Sequence, residues 1–171
     1  MYSYSDTILF YSADVTNKSE ADIDYIFHET LIACDLLFMA ADKSMFPLRG
    51  AMTVGELIDR DNVVISKEII EAYHMEKKQN WCGCWISNRC IHSISKDSLN
   101  DHRGSNSMIE YDIPMKDNLC EHGYVYNWVK IRQGNNSGII NTMRANLHRD
   151  DVRAKYQNII KFIEDIKAMA I

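Results

Sequence analysis

The feature that most limits the fold is a change of period between Leu48 and Gln79. Leu48, Gly50, Met52 and Val54 alternate with Arg49, Ala51 and Thr53, the spacing of a half-buried strand. Pro47 forces an extended approach to it. Asp59–Asn62 has turn composition, and Val63, Val64 and Ile65 form a short β-rich run. From Lys67 to Gln79 the period lengthens: Ile69, Ile70, Ala72 and Tyr73 make an apolar stripe beside Glu68, Glu71, Glu76, Lys77 and Lys78. A chain that hides one side of a strand and then one stripe of a helix must lay helix on sheet.

The flanking segments extend this pattern. Thr7–Ser12 reads as a strand ended by the polar stretch 13–18. Ser19 and Asp22 have the form of a capping box, and Ile23, Phe27, Leu31, Cys34, Phe38 and Ala41 recur at helical spacing, which predicts a helix over 19–42. Trp81–Cys90 predicts another strand, whereas Ser93–Ser107 has the composition of an exposed loop. Met108–Met115 and Gly123–Arg132 read as extended, 133–138 as a turn, and 150–169 as a helix with Val152, Tyr156, Ile159, Ile163 and Ile166 on one face. The order predicts an α+β fold with a mostly antiparallel sheet and helices on one face. At 171 residues, with no internal repeat, the chain is expected to be a single domain over 1–171.

Charge and cysteine usage narrow the function classes. A formal net charge of −5 provides no broad positive field, so nucleic acid is not an expected partner. MYSYSD lacks the basic and apolar regions of an export signal, which points to the cytoplasm. The most apolar window, Ile23 to Ala41, is broken by Asp24, His28, Glu29 and Asp35, whereas a membrane span needs about 20 mostly apolar residues. Five cysteines without an export signal argue for reduced thiols rather than a disulfide framework.

The segments SDTILFYS, LRGAMTVGE and EIIEAYHMEKKQ, followed by IEYDIPMKD and YVYNW, resemble in order and spacing the class III nucleotide cyclase homology domain. The closest variety is the divergent bacterial group that includes the pyrimidine cyclases of anti-phage signalling, and the resemblance covers about residues 1–132. It implies a ferredoxin-like, cyclase-type sheet, a homodimer, and conversion of a nucleoside triphosphate to a cyclic nucleotide and pyrophosphate. In that family two aspartates hold two Mg²⁺ or Mn²⁺ ions, since hard cations take oxygen ligands. Asp6 matches the second aspartate; the first lies on an earlier strand, and the chain begins too late to contain it.

Other positions depart from the family pattern. Its transition-state asparagine falls on Ile70 and its arginine on His74, and neither replacement supplies a permanent donor to phosphate. The base-selecting aspartate falls near Val63, next to Asn62, and the base-contacting lysine near Tyr2. The resemblance therefore implies a truncated or degenerate relative, inactive alone, with Asp6 as metal ligand and Tyr2 and Asn62 as nucleotide contacts; Arg49 is a further candidate, a strand arginine able to reach a phosphate. The alternative is a non-catalytic module that binds a nucleotide or a cyclase partner.

Each residue also has an ordinary reading. Asp6 fits a turn, and Arg49 fits a solvated strand arginine paired with a neighbour such as Glu56. Gly50 and Gly55 suit close packing or a bend, and His74 suits a surface. Trp81, Trp85 and Trp128 suit a core or a dimer interface. Cys82, Cys84, Cys90 and His92, with Cys120 and His122, offer zinc-ligand chemistry, but the one-residue spacing favours packing on a strand face over a knuckle.

Overall fold

The structure is a computed structural model and describes residues 2–4, 7–12, 17–44, 46–61, 63–130 and 137–169. It opens with a small antiparallel pair, β1 (Tyr2–Tyr4) and β2 (Thr7–Leu9), followed by α1 (Glu20–Lys43). The capping box forms as its residues require: the Ser19 side chain accepts from the Asp22 amide, and Asp22 accepts from the Ser19 amide at 3.1 Å. The helix buries Phe27, Leu31, Cys34 and Phe38.

Next come β3 (Gly50–Met52), the hairpin of β4 (Ile58–Arg60) and β5 (Val63–Ile65), then α2 (Lys67–Lys78) and β6 (Cys84–Ile86). After α3 (Asn88–Ser93) and α4 (Lys96–Gly104), the long hairpin of β7 (Met108–Pro114) and β8 (Cys120–Tyr126) leads to α5 (Ser137–Ala145) and α6 (Arg153–Met169). The four-stranded sheet has the order β3–β6–β8–β7; only β3 and β6, joined by way of α2, are parallel. This is the expected α+β class with a mostly antiparallel sheet.

The core sits on the middle of this sheet. Cys34 meets Cys84, and Phe38 packs against Tyr126 with ring centroids 5.5 Å apart, so α1 covers that side. By strand alternation Tyr111 points away from Met108 and Tyr126. It donates to Asp165 of α6 at 3.0 Å and stands 4.9 Å from Phe162, so α1 and α6 cover opposite faces of the sheet and the expectation of helices on one face is corrected. Trp81, fully buried, stacks on Tyr111 and meets Phe162 edge-on at 4.7 Å. Each such aromatic contributes on the order of 2 kcal/mol by burial alone. Trp85 and Trp128 are buried as well, which places all three tryptophans in the core.

Three further sequence expectations are corrected. The polar stretch 93–107 is helical through most of its length, because Ser87 and Ser95 cap α3 and α4 by accepting from the amides of Cys90 and Ser98. Composition suggested a loop, but capping serines start helices as readily as they mark turns. The strand over Trp81–Cys90 shrinks to Cys84–Ile86 for the same reason. The apolar stripe of α2 is also rotated: Ile70 and Tyr73 are exposed while Glu68 and Met75 are buried.

Candidate functional site

The polar groups of greatest interest gather where α2 ends. Arg49, just before β3, lies against the Glu76 carboxylate and donates from Nη1 to the Gln79 carbonyl at 3.1 Å. Its partner is therefore Glu76, one helix away, rather than the nearby Glu56. Gln79 follows the last residue of α2 and is fully buried. Its Nε2 donates to the carbonyls of Gly50 (3.1 Å) and Met75 (3.0 Å), and its Oε1 accepts from the Trp81 indole at 2.8 Å. A buried amide with every group matched fixes the start of β3 to the end of α2.

Two further connections bring distant lysines to this place. Gln79 bridges Met115, and the Lys116 amide donates to the Lys78 carbonyl at 2.9 Å, so the end of β7 lies beside the end of α2. Asn158 donates to the Asn80 carbonyl at 2.8 Å and draws in α6, which carries Lys155. The ammonium of Lys116 is held below the usual lysine range, by partial burial first and then by the charge of Arg49. Lys77 and Lys155 push the same way, and Glu76 opposes them. Arg49, Lys77 and Lys155 thus all act on Lys116 while Glu76 is paired with Arg49, which leaves a local positive surplus among the described residues of a chain that is acidic overall.

A second buried carboxylate is structural. Glu68 receives the Ser66 hydroxyl at 2.9 Å and Arg89 Nη1 at 2.6 Å. Burial pushes its pKa up, but Ser66, its own amide, Lys67 and Arg89 together hold it below the usual range. A Cβ on Gly55 would come within 2.2 Å of Glu68 Cδ, so the missing side chain at Gly55 makes room for this carboxylate. Periodicity alone had placed Glu68 in solvent; Ser66, two positions earlier, was the available signal.

The residues singled out from the sequence fare differently. Asp6 and Asn62 lie outside the described residues. Tyr2 pairs with Leu9 through the backbone, and its side chain also lies outside them. Ile70 and His74 sit on the outer face of α2, with His74 edge-on to Tyr73. Cys34, Cys82, Cys84 and Cys90 are buried. Burial pushes the thiols of Cys82 and Cys90 up to about 11, and a hydrogen bond with Cys34 followed by burial raises that of Cys84. All four pack as small apolar groups of the core. Cys120 is exposed on β8, where His122 binds Asp112 at 2.8 Å instead. Among the described residues no group of three or more His, Cys, Asp or Glu is placed to hold a metal ion. None of the described helices is long and apolar enough to cross a membrane.

No protein-family model, curated protein or solved structure matches this chain.

Proposed function

We propose that this chain is a degenerate class III nucleotide-cyclase-like protein that holds a nucleoside triphosphate or cyclic nucleotide by its phosphates and does not turn it over alone. The observation that supports the reading is that Arg49, Lys77 and Lys155 lie within electrostatic reach of Lys116, with Glu76 paired to Arg49. Phosphate is recognised by charge-assisted hydrogen bonds from such groups. Arg49 belongs to the Arg-Gly strand on which the resemblance rests. Ile70 and His74, standing where the family has its asparagine and arginine, support a silent site, because neither aims a fixed charge at a phosphate. Mg²⁺ or Mn²⁺ bound with the nucleotide would neutralise part of its charge, and Asp6 is the residue the resemblance assigns to it.

The test combines turnover with binding. Incubation with each nucleoside triphosphate and Mn²⁺, followed by mass spectrometry, is expected to give no cyclic product. Calorimetry is expected to detect binding of at least one nucleotide, weakened about tenfold in Lys116→Ala and in Lys155→Ala. Robust cyclic product would overturn the silent assignment, and absence of any binding would overturn the phosphate site.

A second reading, an interaction module for a cyclase partner, draws on the β4–β5 hairpin. Ile58, Val63 and Ile65 share one face of it, and all three are more than half exposed. Binding of a cyclase homology domain with no affinity for nucleotide would favour that reading.

A further inference from the structure

Helix α1 carries two apolar stripes. The first, Phe27, Leu31, Cys34 and Phe38, is buried against the sheet. The second consists of Tyr25, Ile32, Leu36 and Met39, which are 64%, 39%, 63% and 38% exposed. At 3.6 residues per turn they fall in a strip roughly 60° wide on the side of the helix away from the core. Scattered exposed apolar residues need no explanation, but Ile32, Leu36 and Met39 follow one another at the 4- and 3-residue steps of a helix seam, and Tyr25 extends the line seven residues earlier.

The charges on the same face choose the occupant. Asp22 and Glu29 lie on its N-terminal half and Lys43 at its C-terminal end, all exposed. A parallel pair of such helices would set Asp22 against Asp22, Glu29 against Glu29 and Lys43 against Lys43. An antiparallel pair with its two-fold axis at Ile32 removes each of these clashes. Tyr25 then meets the partner's Met39, Leu36 lies over the aliphatic stem of the partner's Glu29, and Lys43 reaches the partner's Asp22. The helix dipoles also oppose one another in that arrangement. A surface that is its own complement under a two-fold rotation closes as a dimer.

We infer that the outward face of α1 is a docking surface for a second copy of this chain, paired α1 to α1 in antiparallel orientation about Ile32. The inference uses none of the residues of the nucleotide reading and stands if that reading fails. One helix pair covers less than the ~800 Å² per partner of a stable complex, so the dimer is a reversible one.

Sedimentation equilibrium of the full chain over a concentration series, with single-cysteine cross-linking, tests it. In a Cys120→Ser background, which removes the exposed native thiol, Ile32→Cys is expected to give an oxidised, disulfide-linked dimer. Tyr25→Cys is expected to stay monomeric on oxidation, because two copies of that position would be about 21 Å apart in the antiparallel pair. Leu36→Glu is expected to raise the dissociation constant at least about tenfold. Circular dichroism confirms that each variant is folded. A chain that stays monomeric at hundreds of micromolar, cross-linking of Tyr25→Cys, or a dimer indifferent to Leu36→Glu would each overturn the proposal.

Discussion

The β7–β8 and β4–β5 hairpins are built by the same local rules and finish in opposite surroundings. Both are antiparallel, and each has a non-glycine residue in the left-handed region beside its turn, Asn118 (φ 65°) in one and Asp61 (φ 52°) in the other. The first pairs seven residues and buries Met108, Tyr111, Ile113, Val125 and Tyr126. The second pairs three and leaves Ile58, Val63 and Ile65 facing solvent. Strand β8 has β6 on its other side and Tyr111 has α6 beneath it, whereas β4 and β5 form a sheet of their own tied back through Tyr11 and Asp59. The lesson is that β-branched residues make a strand in either place, while neighbouring layers decide whether it becomes core.

The largest expected effect lies under the long hairpin. A Cβ on Gly83 would stand 2.6 Å from Trp81 Cζ2, and Trp81 is wedged between Tyr111 and Phe162. Gly83→Ala is therefore expected to cost about 1–3 kcal/mol by urea denaturation. An unchanged midpoint would mean that the Trp81 stack yields easily, and the contrast between the hairpins would weaken.

A smaller effect separates two histidines, one just before the long hairpin and one within it. His102, buried against Phe27 and stacked on His28, binds Ser107 Oγ at 3.0 Å just before β7. Burial, then the charge of His28, lowers its pKa. The unfolded chain thus takes up the proton at higher pH, and stability is expected to fall as pH drops below ~6.5. His122 on β8 is raised instead, first by its hydrogen bond to Asp112. Its contribution is full below ~6.5 and fades as pH rises through the folded value, and solvent screening at this exposed position keeps it small. Denaturation between roughly pH 5 and 8 should lose most of its acid-side slope in His102→Gln and change little in His122→Gln. The reverse ranking would show that the outer face of the hairpin matters more than its buried start.

The smallest effect belongs to the short hairpin. Ile58→Thr and Ile65→Thr are each expected to shift stability by no more than about 0.5 kcal/mol, since little apolar area returns to water. A loss above about 1 kcal/mol by the same denaturation would show that this face is covered in solution.

The sequence by itself determined α1, α2, α6 and the strands around Met52, Val64, Ile109 and Val125, because capping and periodicity act between residues a few positions apart. It also limited the class to helix laid on sheet. It misread 93–107, where composition is the same for a loop and for a polar helix capped by serine. The candidate site was legible only as Arg49, and with the wrong partner. Glu76, Lys116, Lys155 and the buried Gln79 reach Arg49 from other elements, and no local spacing encodes which helix end meets which strand end. The tertiary structure decided that, together with which face of α1 and α2 meets the core, because burial and ion pairing depend on neighbours far away along the chain.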